Sequence, residues 1–407
     1  MKSDFPKNIV MFGDDHWYDL LPLTFTRPIS ELRVGILTIK EKWEKHLNGS
    51  ASYITQDYLA EKYPISIAQD NILINSTFLP DKQLVNFIFQ LRSNEALLLG
   101  PELIAARLSE LQFDTLSQDK DALQNLKGID LSNESGITFR RITRPYHIYI
   151  ENREEIISDF KLITEGRNSA LISDTNRISG KYPVFAEDGA VMEHCIVNTN
   201  EGPVYLGKKA IIMEGSMIRG GFAACDNAVV KMGAKIYGPT TAGPGCVIGG
   251  EVKNSVFQAN SNKGHDGYLG NSVIGEWCNL GADTNTSNLK NNYLPVKIWS
   301  YTHEKFMDTG QQFCGLIMGD HSKAGINTMF NTGTIVGVAA NIFGDGFPRT
   351  FIPSFSWGGA AGFSTHKVEK AIETAELVLS RKNMLLTEPD RKVLEHIYFN
   401  TAHVRNN

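Results

Sequence analysis

The segment Val204-Tyr205-Leu206-Gly207 opens a run, ending at Ile248-Gly249, in which every sixth residue is apolar. The repeating positions are Leu206, Ile212, Ile218, Ala224, Val230, Ile236, Ala242 and Ile248. The same spacing returns further along the chain, at Met318, Ala324, Phe330, Val336 and Ile342. An α-helix repeats about every 3.6 residues and a strand about every two, so neither element explains a period of six.

A period of six is typical of hexapeptide repeats, in which three short strands form each triangular coil of a parallel β-helix. The apolar residue of each repeat would point inward and stack on the next coil, because one coil cannot bury its own inner surface. We therefore predict a parallel β-helix over residues 181–359. The alternative is a β-sandwich with chance spacing, and two long runs in one register argue against it.

The composition is that of a globular protein, with 42% hydrophobic and 21% charged residues among 407. A net charge of −5 gives no electrostatic reason to expect nucleic acid or an anionic membrane as a partner. The first residues include no apolar run, and no segment is long enough to span a bilayer. The five cysteines have no metal-binding spacing, so we expect reduced thiols, no metal site and a cytoplasmic protein.

Before the repeats, short apolar runs alternate with amphipathic segments, which is typical of an α/β domain with a largely parallel sheet. The predicted strands are residues 8–13, 52–54, 71–75 and 96–99. The predicted helices are residues 29–47, 81–91, 101–111 and 153–162, with a polar loop at 128–136 and a linker at 166–180. We assign residues 1–180 to this domain. Residues 360–407 are predicted to form a helical tail, with helices near 365–381 and 387–402.

Two segments, 252–267 and 282–314, break the period of six. We expect insertions at corners of the solenoid, because inserted loops often carry function. Lys253, His265 and Tyr268 are concentrated in and beside the first segment. A turn needs Gly, Asn and Asp, but it does not need these three residue types. The alternative is a surface histidine bonded to a loop carbonyl, and the nearby lysine and tyrosine favour a site.

Lys253, His265, Tyr268, Asn279 and Asn288 keep the spacing of a known family. The segment resembles the acetyltransferase half of the bifunctional N-acetylglucosamine-1-phosphate uridyltransferase/glucosamine-1-phosphate acetyltransferase family. The resemblance implies a left-handed β-helix, a homotrimer and acetyl-CoA as the acyl donor. It also implies roles for individual residues: His265 as general base, Lys253 and Tyr268 on the sugar phosphate, and Glu251, Asn279 and Asn288 on the amino sugar and the acetyl group.

The chemistry of these residue types agrees with that resemblance. An amine that attacks a thioester must lose a proton, and a histidine can accept it near neutral pH. Lysine and tyrosine supply donors for a phosphate. Backbone N–H groups of a glycine-rich loop could stabilise the oxyanion, and direct transfer needs no cysteine nucleophile.

Other assignments follow from the resemblance less directly. The segment after Asn288 is longer than in the family, so the later substrate lysine is Lys290 or Lys297. Coenzyme A is expected along the outer face of the solenoid, where small residues would let the pantetheine approach. The residues assigned to it are Ala324, Gly325, Ala340 and Arg349, although Arg349 could equally cap the solenoid.

The segment from Leu21 to Pro28 resembles the start of a sugar nucleotidyltransferase domain. The glycine-rich phosphate loop of that domain is replaced by Gly13-Asp14-Asp15-His16, and Asn75 stands where the family has a metal-binding aspartate. The candidate nucleotidyl site comprises Arg27, Glu31, Arg33 and Asn75. It would take UTP or dTTP with Mg²⁺. The alternative for its charged members is a helix start with ordinary surface ion pairs.

These features predict a sugar-phosphate transferase of the bifunctional type. It would transfer acetyl from acetyl-CoA to the amine of glucosamine-1-phosphate or a related amino-sugar phosphate. Coupled nucleotidyl transfer would make UDP-N-acetylglucosamine or a similar product. The first alternative is a uridylyl- or thymidylyltransferase whose β-helix only holds a trimer together. The second is a non-catalytic protein that binds sugar nucleotides.

Overall fold

The computed structural model describes residues 5–118, 126–132 and 138–405. The chain forms two compact units. The N-terminal unit consists of the chain up to Trp17, Arg27–Leu32 and Leu37–Thr143. The solenoid unit consists of Tyr18–Thr26, Arg33–Ile36 and the chain from Arg144 onward. The functional domain boundaries predicted at 180 and 359 stay predictions, because compactness alone does not decide where a functional domain ends.

The N-terminal unit contains a mixed six-stranded sheet in the order β2-β1-β3-β5-β4-β6. The strands are β1 Asn8–Phe12, β2 Ser50–Ile54, β3 Asp70–Asn75, β4 Glu95–Leu99, β5 Glu102–Ser109 and β6 Lys127–Asp130. Strand β1 pairs in parallel with β2 and β3, whereas β5 runs antiparallel to β3 and β4. The predicted α/β fold is confirmed, although the antiparallel β5 makes the sheet mixed. Of the predicted polar loop, residues 133–136 lie outside the described residues.

The helix predicted over 81–91 is confirmed at Lys82–Gln90, whereas the other helices of this part of the chain differ from the prediction. The helices are His16–Asp19, Ile39–Leu47, Lys82–Gln90 and Glu110–Gln118, with 3₁₀ turns at Ile29–Glu31 and Asp57–Leu59. The helix predicted over 29–47 begins only at Ile39, where Thr38 and Glu41 form a reciprocal capping box. The helix predicted over 101–111 is wrong. Strand β5 lies between two antiparallel partners there, and pairing on both sides overrides the helix preference of its Glu, Leu and Ala residues.

The solenoid unit is a parallel β-helix with three faces, consistent with the left-handed form. Face A comprises Arg177–Ser179, Ile196–Asn198, Met217–Arg219, Lys235–Tyr237, Glu251–Lys253 and Tyr268–Gly270. Face B comprises Val184–Ala186, Val204–Leu206, Phe222–Ala224, Thr240–Ala242, Val256–Ala259, Val273–Glu276, Ile317–Met318, Ile335–Val336 and Phe351–Ile352. Face C comprises Val191–Met192, Ile211–Ile212, Val229–Val230, Val247–Ile248, Asn262–Lys263, Asn279–Leu280, Lys323–Ala324, Asn341–Ile342, Ser356–Gly359 and the antiparallel Gly362–Thr365.

The predicted interior of the solenoid is confirmed. Paired residues on successive coils lie 18 positions apart, as in Val204 with Phe222 and Ile211 with Val229, which is three repeats of six. The predicted inward residues form one buried core that runs through the coils. Stacking of these coils supplies the burial that no coil has alone.

Residues 252–267 do break the period of six, but the insertion expected there is wrong, because they continue all three faces. The coils are only shortened there: Thr241 pairs with Val256 and Glu251 with Tyr268, 15 and 17 positions apart. The second interruption is a true insertion, since Val273 pairs with Ile317, 44 positions later. It carries an antiparallel hairpin, Lys297–Ser300 with Lys305–Asp308, and the coil it interrupts also pairs Asn285–Thr286 with Met329–Phe330.

The remaining helices of the solenoid unit are His147–Thr164, Val368–Ser380, Glu388–Asn400 and Ala402–Arg405. The first begins before the predicted Arg153, and its Asn152 and Asp159 accept the backbone N–H groups of Gly35 and Ile36. The last two predicted helices are confirmed, and a Thr387 capping box starts one of them. In the described part of the chain, no helix is long and apolar enough to cross a membrane.

Candidate functional site

The outer surface of face A brings several of the predicted residues together. Side chains alternate along a strand, so buried Val252 points inward while Glu251 and Lys253 point outward. Register places Glu251 beside Tyr268 on the following coil and beside Lys235 on the preceding one. The shortened coils therefore align these polar side chains on neighbouring strands.

Tyr268 is held by a side-chain hydrogen bond from the next coil. The Asn288 Nδ2 donates to the Tyr268 hydroxyl at 3.0 Å and to the Asn271 Oδ1 at 2.8 Å. Asn288 is only 8% exposed, so its amide is fixed in place. Burial raises the pKa of Tyr268, which keeps the phenol protonated. The hydroxyl accepts from Asn288 and can still donate to a ligand.

Lys253 lies between two aromatic rings. Its Nζ is 5.4 Å from the centre of the Phe313 ring and 5.9 Å from that of Tyr237, within the range of cation–π attraction. Across the described residues, no carboxylate lies within ion-pair distance of Lys253. Glu251 is different, because it accepts from the Tyr237 hydroxyl at 2.6 Å and lies 3.5 Å from the Lys235 ammonium. Lys253 is thus available to bind a phosphate.

A shallow groove of about 550 Å³ runs along the outer surface of face A. Its lining mixes apolar Ile196 and Met217 with the charged Arg219, Lys235 and Glu251. The groove reaches the strand that carries Lys253. The groove therefore offers space for a ligand beside the predicted substrate residues of this strand.

His265 lies on the corner between Asn262–Lys263 on face C and Tyr268–Gly270 on face A. Its imidazole is exposed and forms no hydrogen bond with the residues that the structure describes, so the loop-carbonyl alternative is not seen. The backbone at His265 packs against the preceding coil at Gly250, where an added Cβ would lie 2.7 Å from the His265 carbonyl oxygen. Gly250 also has a φ of 69°, which favours glycine. This close approach places His265 beside the strand that begins at Glu251.

Two predicted substrate residues are not brought to face A. Asn279 is exposed on face C, where its register neighbours are Asn262 and Lys323. The Lys290 Nζ donates to the Pro295 carbonyl within the insertion at 2.8 Å. Their assignments to the substrate stay predictions.

The argument that placed coenzyme A near Ala324 and Ala340 is wrong. These residues are 4% and 1% exposed, and their side chains belong to the inner core. The small size of these two side chains is explained by stacking inside the coil. On the outer surface, only the backbone near Gly325 could contact coenzyme A. Arg349 is exposed and lies over the Phe363 ring at 5.4 Å.

Arg33 does not fit the predicted nucleotidyl site. It is buried in the solenoid unit, where its Nε donates to the Gln258 carbonyl at 3.2 Å and its guanidinium also donates to the Ile36 carbonyl. In the N-terminal unit, Arg27 is buried, and Glu31 accepts from the Tyr53 hydroxyl beside Lys40, 3.8 Å away. The structure therefore gives Arg33 a packing role, and Glu31 is paired.

Asn75 does not fit the metal-binding role either. It ends β3 at the carboxyl edge of the parallel strands, where ligands of open α/β sheets bind. Its Nδ2 donates to Asp14 Oδ2 at 2.9 Å and to the Leu103 carbonyl at 3.2 Å. Its Oδ1 accepts from the Thr77 backbone N–H at 3.0 Å and from the Thr77 hydroxyl at 2.8 Å. All four hydrogen-bonding positions of this amide are used, so no lone pair remains for Mg²⁺.

Several residues of the site were missed from the sequence. Tyr237, Asn271 and Phe313 contact Glu251, Asn288 and Lys253, respectively. Their contacts depend on coil lengths of 15 to 17 residues and on where the insertion returns to the solenoid. A strict period of six gives no signal for either.

Comparisons with known proteins find a nucleotidyltransferase family model and several bifunctional relatives. A family model described as sugar nucleotidyl transferase matches residues 9–168. The bifunctional protein GlmU of Methanocaldococcus jannaschii is 40% identical over 87 residues, which cover 21% of this chain and 21% of that protein. The bifunctional sugar-1-phosphate nucleotidylyltransferase/acetyltransferase of Sulfurisphaera tokodaii is 36% identical over 93 residues, which cover 23% of each.

A third relative is the putative uncharacterized acetyltransferase YaiX of Escherichia coli, 28% identical over 158 residues, which cover 38% of this chain and 68% of that protein. The chain spans only 21% to 25% of the length of the first curated relatives it matches. Within those limits, the matches confirm the resemblance to the bifunctional sugar-1-phosphate nucleotidyltransferase/acetyltransferase family.

Proposed function

We propose that the solenoid unit transfers an acetyl group from acetyl-CoA to the amine of glucosamine-1-phosphate or a related amino-sugar phosphate. One observation carries this proposal: Glu251, Lys253 and Tyr268 align on neighbouring strands, beside the corner that exposes His265. The names of the relatives, which include acetyltransferases, support the use of an acyl-CoA.

In the proposed reaction, Lys253 and the Tyr268 hydroxyl bind the phosphate of the acceptor. The amine attacks the thioester carbonyl, the C–N bond forms, and His265 removes the proton that the amine loses. The tetrahedral intermediate then expels the coenzyme A thiolate as the C–S bond breaks, and the thiolate takes up a proton. No covalent enzyme intermediate is required.

We expect the acting molecule to be a cytoplasmic homotrimer. Val191 and Ile211, which pair on neighbouring coils of face C, are exposed apolar residues. Clustered exposed apolar residues favour a protein interface. We propose that this surface contacts the same surface on another copy of the chain.

The experiment that tests the transfer uses the full chain, acetyl-CoA and glucosamine-1-phosphate. Free thiol should appear only when both substrates are present, in equal amount to an N-acetylated sugar phosphate. Thiol release that does not depend on the amino sugar would contradict the proposal.

A second candidate activity is nucleotidyl transfer by the N-terminal unit, from UTP or dTTP, to make UDP-N-acetylglucosamine or a similar product. The family model over residues 9–168 favours it. Because all hydrogen-bonding positions of the Asn75 amide are used, this residue does not favour a bound metal. The alternative is that the N-terminal unit binds a sugar nucleotide without transferring it. Release of pyrophosphate from a nucleoside triphosphate and a sugar-1-phosphate would support transfer, whereas ligand binding without pyrophosphate would support the alternative.

A further inference from the structure

A lysine takes an inward position within the apolar interior of the solenoid. Lys263 is 0% exposed, and its register partner on the preceding coil is Ile248, a member of the buried core. The same inward position on the next coil of face C belongs to Leu280, which also lies in that core. Lys263 is thus the charged member of a column whose neighbours are aliphatic.

The Lys263 ammonium bonds to the corner that carries the proposed general base. Its Nζ donates to the carbonyl oxygen of His265 and, at 2.9 Å, to that of Asp266. The Asp266 carbonyl also accepts from the Asp283 backbone N–H at 3.0 Å, which ties the corner to the next coil. The corner is therefore held from the inside by Lys263 and along the solenoid axis by Asp283.

An apolar residue would suit this position better if packing alone mattered. Burying an ammonium costs free energy unless its donors are satisfied, and replacing buried charges by well-packed apolar groups is often neutral or stabilising. The charged groups that act on Lys263 are the Asp266 and Asp283 carboxylates, which offset part of the cost. The interaction that the buried Lys263 ammonium makes is therefore with the His265 and Asp266 carbonyls, which it holds in place.

We infer that Lys263 is a positioning residue, which holds the corner of residues 264–267 from inside the coil so that the His265 imidazole stays outside, beside Glu251 and Tyr268. The effect on catalysis rests on the proposed acetyl transfer. The structural part of the inference, the anchoring of the corner, can be measured without any substrate.

The test compares Lys263→Met, which keeps the chain length and removes the donors, with Leu280→Met, an apolar exchange in the same column. The amides of Asp283 and Glu251 report on the corner, because they donate to the Asp266 and Gly267 carbonyls at 3.0 and 3.2 Å. Loss of hydrogen bonds from a charged donor should speed exchange of these two amides about tenfold or more in Lys263→Met, and leave it unchanged in Leu280→Met. For thiol release, kcat should fall about tenfold while the acetyl-CoA KM stays within about twofold. Amide exchange in Lys263→Met equal to that in Leu280→Met would overturn the inference.

Lys263→Gln, which retains an N–H donor, should show exchange between the wild-type and Lys263→Met values, and it serves as the informative variant if Lys263→Met does not fold. Faster corner exchange with unchanged kcat would also overturn the positioning role. If the wild-type protein releases no thiol at all, the proposed function fails, and amide exchange still decides whether Lys263 anchors the corner.

Discussion

Asn288 donates to the hydroxyl of Tyr268 at 3.0 Å, a contact between residues 20 positions apart. Asn288 directly precedes Leu289, which pairs with Phe313 to close the base of the insertion. Phe313 in turn lies against Lys253. Both ends of the insertion are therefore anchored on residues that we assign to the acceptor phosphate.

We predict that Asn288→Ala raises the KM for glucosamine-1-phosphate about tenfold, because the Tyr268 hydroxyl loses the bond that orients it. Tyr268→Phe should have a similar effect. The two changes remove one shared interaction, so the double variant should be little worse than either single one. Additive losses in the steady-state kinetics of the three variants would show that Asn288 acts elsewhere.

Lys253→Met should weaken binding of the phosphorylated acceptor by roughly ten- to a hundredfold in KM, because a cation beside a bound anion is lost. Binding of unphosphorylated glucosamine should change little. Lys235→Met is the matched control, since Lys235 lies on the same face but is paired with Glu251. If KM rose equally for the phosphorylated and unphosphorylated acceptors, or equally in the two variants, Lys253 would not be the residue that binds the phosphate.

The free energy of unfolding should depend on pH in a way that shows the burial of the Lys263 ammonium. Burial lowers the pKa of Lys263 from 10.5 to about 8, with Asp266 and Asp283 acting in the opposite direction. Between these values the unfolded chain binds a proton that the folded chain has released, so this residue makes stability rise with pH. Below about pH 8 the folded protein bears the full cost of the buried charge.

Relative to the wild type, Lys263→Met should therefore lose on the order of 2–3 kcal/mol of unfolding free energy between about pH 7.5 and 10.5. Urea unfolding at the two pH values measures this difference, and other titrating groups cancel in the comparison. A difference that does not change with pH would mean that the Lys263 pKa is ordinary.

Asn75 offers a test of the N-terminal unit. Asn75→Asp would place a buried carboxylate against the half-buried Asp14, where the amide now donates at 2.9 Å. We predict a loss of about 2–4 kcal/mol of stability without metal and a partial recovery in Mg²⁺, because like charges repel unless a cation neutralises them. The melting temperature of the wild type should not respond to Mg²⁺ at the same ionic strength. A wild-type shift equal to that of the variant would mean that the native residues already hold the ion.

The period of six was sufficient to predict the solenoid, because each coil needs an apolar residue at the same place to stack on the next. It could not reveal that the coils around Lys253 and His265 are shortened while the faces continue, since pairing depends on register between distant residues. The same limit explains why Lys263 was not recognised as an inward residue. Ala324 and Ala340 were misplaced for a related reason. From the sequence, a small residue of a repeat looks the same whether it packs inside the coil or contacts a ligand outside it.

The N-terminal sheet shows a different limit. Strand β5 contains Glu102, Leu103, Ala105 and Ala106, which favour a helix when taken alone. Pairing with β3 and β4 on both sides decides the outcome, and that information is not local. By contrast, the helix after Thr387 was predictable because its capping residues are adjacent in sequence.

The central claim is that His265 is the base for acetyl transfer, and His194 provides a matched control. His194 is likewise exposed on the corner between face C and face A, several coils earlier. Thiol release from acetyl-CoA with glucosamine-1-phosphate should fall by about a hundredfold or more in kcat for His265→Ala and stay within about twofold of wild type for His194→Ala. Full activity of a folded His265→Ala protein, or an equal loss in both variants, would contradict the account.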